Sequence, residues 1–237
     1  MCIDLHCHII WGVDDGAQTE EDAQNMLRAA YEDGTDIVVC TSHISPGLDL
    51  FPEETYQSHL ASEQAWLQQE GIPLQLVPGH EVFYTDHTAR MLQEGLVHPL
   101  GNSPFVLVEF SPDTPYERIR EGIQKITMGG YRVLIAHFER YHCLRNLAYV
   151  EELRQRYGCF MQMNGHTVIR RQSFFANRWL KQVMARRLVD AIASDAHNTT
   201  HRATCMAQAF RAVSDQYGDA MAQRLFIDRP SFILNGM

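Results

Sequence analysis

The stretch Cys2-Ile3-Asp4-Leu5-His6-Cys7-His8-Ile9-Ile10-Trp11-Gly12-Val13-Asp14-Asp15-Gly16 sets two histidines directly behind a short β-rich run, residues 2–5, and two aspartates before a glycine soon after. Side chains two apart on a strand share a face, so His6 and His8 can close on one ion. The same order recurs along the chain. Residues 36–40 lead into Thr41-Ser42-His43, residues 74–77 into Gly79-His80-Glu81, residues 105–108 into Glu109 and residues 132–135 into His137. Residues 189–193 lead into Ser194-Asp195-Ala196-His197, which repeats the spacing of the first pair. Only the run at 159–163 delivers no such residue. Near-continuous apolar runs of this length are strands buried on both faces, as in a parallel sheet.

Helical patterns fill the intervals. Thr19 is an N-cap followed by the acidic Glu20, Glu21 and Asp22, and Ala23, Met26, Leu27, Ala30 and Tyr31 form the face expected to be buried before Gly34 stops the helix. A second helix opens after Pro52 and runs through Leu60, Trp66 and Leu67 to Gly71, and a third carries Ile119, Ile123 and Ile126 and ends at Gly129-Gly130. Glycine closes another at Gly158, an alanine-rich helix follows Thr199, and Pro230 is expected to break the chain near its end. Seven strands alternating with helices predict an α/β fold, either a barrel or an open doubly wound sheet. In a barrel, the C-terminal strand ends gather their loops around one point, which is where these residues lie.

Composition fits that picture. The 237 residues suit one domain spanning 1–237, with 45% hydrophobic and 21% charged residues, as in ordinary globular chains. The net charge of -9 argues against a nucleic-acid partner, which would want a basic surface. The six cysteines are scattered without a Cys-x-x-Cys pair, so reduced thiols are expected. No leader is visible ahead of the first strand, and no apolar run is long enough to span a bilayer; the expected location is the cytoplasm, without membrane insertion. Cys205 and Arg211 match the Cys-x5-Arg spacing of thiol phosphatases, but the stretch lacks glycine and reads as the interior of a helix, whose amides are not free to cradle phosphate.

Imidazoles mixed with carboxylates suit zinc, manganese or iron, whereas an all-oxygen set would favour magnesium or calcium. Five histidines and up to four carboxylates exceed one tetrahedral site, so two or three ions are expected. A lone His-x-His or a lone strand-end Glu carries little weight; six strand ends that agree carry much more. The other histidines read as surface or packing groups, with His80 and His201 nearest the site in sequence.

Taken together, His6-x-His8, His43, Glu81, Glu109, His137 and Asp195-x-His197 resemble the PHP (polymerase and histidinol phosphatase) superfamily. The strings from Asp4 to Gly16, Thr41-Ser42-His43, Val108-Glu109-Phe110-Ser111 with Thr114-Pro115-Tyr116, Ala136-His137-Phe138-Glu139-Arg140-Tyr141, Ala193-Ser194-Asp195-Ala196-His197-Asn198 and Phe226-Ile227-Asp228-Arg229-Pro230 are similar to one branch. That branch is the CpsB/CapC family, manganese-dependent protein-tyrosine phosphatases of bacterial capsule and exopolysaccharide operons. The resemblance covers essentially the whole chain. It implies a distorted TIM-like (β/α)7 barrel, the PHP fold, with a site for two or three ions, ordinarily manganese, iron or zinc being the alternatives. Its ligand set would be His6, His8, Asp15, His43, Glu81, Glu109, His137, Asp195 and His197, with Asp15 also serving catalysis. Arg140 and Arg202 would hold the substrate phosphate, and the substrate would be the phosphotyrosine tail of a bacterial tyrosine kinase. The chain departs from the pattern at Ala203-Thr204, at Asn164-Gly165-His166 and in the basic stretch 171–187. Other readings are a phosphoesterase of the same superfamily acting on a small metabolite such as histidinol phosphate, and a non-catalytic metal-binding module. An amidohydrolase would usually want a lysine on a middle strand, where this chain has Glu109.

Overall fold

The computed structural model describes residues 2–169 and 173–236, so Arg171 at the head of the basic stretch lies outside the described residues. Among these, seven strands pair in parallel in sequence order: β1 (Ile3–Cys7), β2 (Ile37–Ile44), β3 (Gln75–Phe83), β4 (Phe105–Glu109), β5 (Arg132–Ile135), β6 (Phe160–Asn164) and β7 (Ala191–Ala193). The first and last strands then meet. Cys7 bridges Ala196, the His8 amide donates to the Ala196 carbonyl at 2.9 Å, and the Asp195 amide donates to the His6 carbonyl at 2.8 Å. The buried Asp4 carboxylate accepts the Ser194 amide across the same seam at 2.9 Å. These bonds curl the sheet into a nearly closed α/β barrel, the distorted TIM-like form expected from the resemblance. The distortion is visible where β1 slips register between Asp4 and Cys7 and where β5 and β6 pair at only two positions.

Strand alternation sorts the core into two layers. Val39 on β2 points inward and packs with Ile3, Leu5, Leu107, Leu134 and Ala193, while Val38 and Cys40 point outward against the helices. Helix α1 (Glu20–Glu32) starts on a full capping box between Thr19 and Asp22 and buries Ala23, Met26, Leu27 and Ala30. Tyr31, expected on that face, is 44% exposed because it sits at the edge of the stripe. Helix α2 (Glu53–Glu70) ends at Gly71 in the left-handed conformation. A short α3 (Thr88–Gln93) follows, and α4 (Tyr116–Met128) buries Ile119, Ile123 and Ile126 completely. Beyond it come α5 (Leu147–Tyr157), α6 (Gly165–Ile169), α7 (Phe174–Ala185) and α8 (Met206–Tyr217).

Two expectations are corrected here. Pro230 does not break the chain: α9 (Asp219–Gln223), a π-helical turn at Arg224–Asp228 and α10 (Arg229–Asn235) form one run with Pro230 in the first turn of α10. The wide π turn precedes the ring, where an ordinary α turn would meet a proline without an amide hydrogen. Cys205 is not inside a helix but at the N-cap of α8. It is buried, and the free Ala207 amide of that helix end is already taken by Asp33 at 3.1 Å, so no phosphate cradle forms. None of the six cysteines is in a disulfide. No helix among the described residues is long and apolar enough to cross a membrane.

Glu63 is a buried liability on α2. Neither of its oxygens has a hydrogen-bond partner, and burial, with Glu20 adding to it, pushes its carboxyl up to about 7. The folded chain therefore holds a proton that the unfolded chain releases near an ordinary carboxyl pKa of ~4.3. Stability must fall as pH rises from there to about 7 and level off above it. Glu63→Gln is expected to raise stability at pH 8 by roughly 2–3 kcal/mol and to change it little at pH 5, read by thermal denaturation at both pH values. An equal effect at the two would contradict the assignment.

Candidate metal centre

The strand ends, with Asp15 from the loop after β1, bring the nine candidate ligands together. His6 Nε2 lies 3.0 Å from Glu81 Oε2 and 3.4 Å from Asp195 Oδ1, and His8 Nε2 lies 3.2 and 3.6 Å from the same two oxygens. The two Nε2 atoms are 3.0 Å apart. On the Asp15 side, His43 Nε2 and His197 Nε2 approach Asp15 Oδ1 at 3.4 and 3.3 Å. On the other side His137 Nε2 is 2.9 Å from Glu81 Oε1 and 3.4 Å from Glu109 Oε1, and His43 Nδ1 is 3.1 Å from Glu81 Oε2. Three overlapping groups result: His6, His8, Glu81 and Asp195; His8, Asp15, His43 and His197; His43, Glu81 and Glu109. His8, His43 and Glu81 each belong to two of them, the sharing that neighbouring cations require.

The proton positions around the centre can be worked out from its carboxylates, which only accept. Asp195 Oδ2 takes the Asn164 amide at 2.7 Å, Asn164 Oδ1 takes the Gln162 amide at 2.9 Å, and Gln162 Oε1 faces His6 Nδ1 at 3.2 Å. His6 thus carries its proton on Nδ1. His8 Nδ1 donates to Asp14 Oδ2 at 2.8 Å and His197 Nδ1 to the Asp195 carbonyl at 3.0 Å. With Nδ1 engaged in this way, all three imidazoles turn Nε2 into the cluster, as metal-binding histidines are held. His197 Nε2 is buried without a hydrogen-bond partner. The donor set fits a borderline divalent ion.

Sequence reasoning missed this supporting layer. Strand β6 delivers no ligand, yet its alternating Gln162 and Asn164 aim two amides at the ligand face, and Gln162 Oε1 also takes the His137 amide at 2.6 Å. The i, i+2 spacing of polar residues at the end of an apolar strand was the available signal. Asp14 is a brace rather than a neighbour of Asp15 in the cluster: it accepts from His8, from the His43 amide at 2.9 Å and from the Gly16 amide at 2.9 Å. Burial alone would raise the Asp14 carboxyl, but the His8 hydrogen bond and charge and these two amides hold it at about 2. Gly16 is required because a Cβ there would lie 2.1 Å from the His8 carbonyl oxygen.

The electrostatics suit bound cations. Burial and the charge of His8 lower His197 to about 4, which keeps it neutral and able to ligate. Burial and the nearby Glu81 raise Glu109. Carboxylates crowded in this way are relieved by positive charge at their centre. His137 and Asp195 both hold positive φ, 30° and 55°, a left-handed backbone that costs non-glycine residues energy and that clusters at functional sites.

Glu53, His80 and His98 form a separate group between α2 and β3. There the His98 amide donates to His80 Nδ1 at 3.1 Å, so the His80 proton sits on Nε2, facing Glu53 Oε2 at 4.0 Å. That is the opposite tautomer from the one found at the centre, and it makes His80 a donor rather than a ligand.

The profile described as "Capsular polysaccharide synthesis, CpsB/CapC" matches residues 2–235. The chain belongs to the CpsB/CapC family. It is 32% identical over 241 residues to the tyrosine-protein phosphatase CpsB of Streptococcus pneumoniae, covering 98% of each chain. Identity to the tyrosine-protein phosphatase YwqE of Bacillus subtilis is 26% over 226 residues, covering 94% of this chain and 88% of the relative. A crystal structure from work on YwqE and CpsB, described as metal-dependent tyrosine phosphatases, superposes with a TM-score of 0.89 at 24% identity, over 99% of this chain and 95% of that one, and so shares the fold.

In this CpsB/CapC protein a cleft of about 490 Å³ opens beside the centre, and Arg140, Asp195, His201 and Arg202 all line it. Asn198 Oδ1 accepts the amides of Thr200, His201 and Arg202 at 3.0, 2.9 and 3.1 Å, which curls the loop so that Arg202 returns over the ligands. Its guanidinium donates to Asp195 Oδ1 at 2.9 Å and lies 3.7 Å from Asp15 Oδ2. Arg140 ends a 3-10 turn, Phe138–Arg140, that follows His137 directly and leaves the arginine exposed at the cleft.

Proposed function

We propose that this CpsB/CapC protein is a metal-dependent protein-tyrosine phosphatase acting on the phosphotyrosine tail of a bacterial tyrosine kinase that governs capsule or exopolysaccharide synthesis. The single observation that carries the chemistry is the convergence of five histidines and four carboxylates, with Nε2 of His6, His8 and His197 turned inward. Family membership, and the tyrosine-protein phosphatase relatives at 32 and 26% identity, support the substrate. His6, His8, Asp15, His43, Glu81, Glu109, His137, Asp195 and His197 would hold two or three ions, manganese in the first place. The whole chain acts as one domain, in the cytoplasm.

Ions bound there supply Lewis acidity, positive charge against the phosphate oxygens and an acidified water. The chain does the positioning. Arg140 and Arg202 present planar donors that match equatorial phosphate oxygens, and the pairing with Asp195 and Asp15 fixes Arg202 before substrate arrives. Asp15, bound to Arg202 and facing two imidazoles, links the arginine to the ligand set. The leaving phenolate has a conjugate pKa near ~10, so the reaction asks less of a general acid than an alkyl ester would.

Phosphate release from a phosphotyrosine peptide and from histidinol phosphate, each with manganese, separates this reading from a metabolite phosphatase. The peptide is expected to be preferred by at least about 10²-fold in kcat/KM, the scale at which well-placed binding contacts discriminate. Equal rates, or preference for histidinol phosphate, would overturn the substrate assignment. No release from either by the metal-loaded protein would favour a non-catalytic module.

A further inference from the structure

The cleft beside the centre holds more donors than one phosphate uses. Trp179 on α7 lines it, is nine-tenths buried, and has an indole Nε1 without an acceptor. The Arg145 guanidinium lies over the Trp179 ring, 4.5 Å from its centroid. A stacked guanidinium keeps its in-plane N–H groups free for a planar anion. Neither Arg140 nor Arg145 forms an ion pair among the described residues, and both are exposed at the cleft.

The two carboxyls in the same cleft are outnumbered. Asp195 is bound by Arg202 and Asn164, and the buried Glu139, whose carboxyl pKa burial raises, takes the Asn164 amide and the Thr167 hydroxyl, each at 2.9 Å, on Oε1 and has no hydrogen-bond partner on Oε2. In a chain of net charge -9, this wall concentrates three guanidiniums. Three guanidiniums against two carboxyls, one of them already paired with Arg202, leave a wall that favours an anion.

We propose that Arg145, stacked on Trp179, forms a second anionic subsite that binds an acidic group flanking the reacting phosphotyrosine. The proposal rests on the phosphatase reading above and adds a sequence preference to it. Arg140 and Arg202 face the reacting phosphate beside the ligands. Arg145 ends the next 3-10 turn, His142–Arg145, on the Trp179 wall, and takes the neighbouring side chain. A carboxylate and a second phosphate share the required chemistry, and peptide design distinguishes them. Arg145 acts on specificity and is not a catalytic residue.

The test compares three phosphotyrosine peptides of one length with the manganese-loaded protein: flanked by glutamates, by glutamines, or by a second phosphotyrosine. Wild type is expected to favour an acidic flank over glutamine by about tenfold in kcat/KM, mostly through KM, the worth of one charge-assisted hydrogen-bonded pair. Whichever acidic peptide shows the larger ratio names the source of the anion. Arg145→Gln is expected to bring the ratio to near one, and Arg145→Lys to leave it intermediate, since the charge stays while the stacked fork is lost. A wild-type ratio near one, or a ratio unchanged in Arg145→Gln, would overturn the subsite. Failure to cleave any of the three peptides would instead overturn the phosphatase reading on which it rests.

Discussion

Glu81→Gln is expected to lower kcat/KM for a phosphotyrosine peptide by at least about 10³-fold, because the centre loses several kcal/mol of charge stabilisation. Glu81 is the hub of the cluster. Its two oxygens lie 2.9 Å from His137, 3.0 Å from His6, 3.1 Å from His43 and 3.2 Å from His8. Surrounding imidazoles hold its carboxyl well below the usual range against the pull of burial, with His6 the largest contributor. Glutamine keeps the shape but removes the charge and turns one acceptor into a donor, which cannot face a cation. Asp14→Asn is the control that separates ligand from brace. It touches His8 and the His43 amide rather than the centre, so its loss is expected at about 10–100-fold, the scale of outer contacts in metal sites. Steady-state kinetics on both variants read the contrast, and equal losses would remove the distinction between the two layers.

Asp190→Ala is expected to lower the stability of the protein by about 3–5 kcal/mol. Asp190 is fully buried at the barrel end opposite the centre, just ahead of β7. It takes Arg154 on both oxygens, the Arg229 guanidinium at 2.7 Å and the Met161 amide at 3.0 Å, with Arg224 at 3.7 Å. Alanine would leave three guanidiniums facing one another without a counter-charge. Breaking a buried pair from one side costs about 3–5 kcal/mol, against a total stability of roughly 5–15 kcal/mol for a domain. Asp190→Asn keeps the shape and the acceptor for the Met161 amide, so a smaller loss is expected. Chemical denaturation of the three proteins measures both. A midpoint for Asp190→Ala equal to that of wild type would show that the arginines find other partners.

The barrel strands and the candidate ligands were largely legible in the sequence because both are written locally. Each parallel strand is a short apolar run, and each strand end sits next to a candidate ligand, so His6, His43, Glu81, Glu109, His137 and Asp195 could be read one at a time. Closure was not legible, because it depends on a seam between residues 4–8 and 194–196 that are far apart in the chain. The bracing amides of Gln162 and Asn164 were passed over for a related reason: amides carry no charge and no ligand signature, and their role appears only once β6 is set beside β1 and β7. Pro230 misled because a proline usually ends a helix, whereas here a π turn precedes it. The donors of the Arg145 and Trp179 wall come from segments more than thirty residues apart, joined only by the fold.

The most direct test of the central claim is metal content measured together with phosphate release from a phosphotyrosine peptide, on the protein as purified, after chelation, and after manganese is restored. Two or three ions per chain are expected, with loss of both ions and activity on chelation, recovery of both with manganese, and neither full content nor activity in His6→Ala. Activity that survives chelation and the His6 substitution would contradict it.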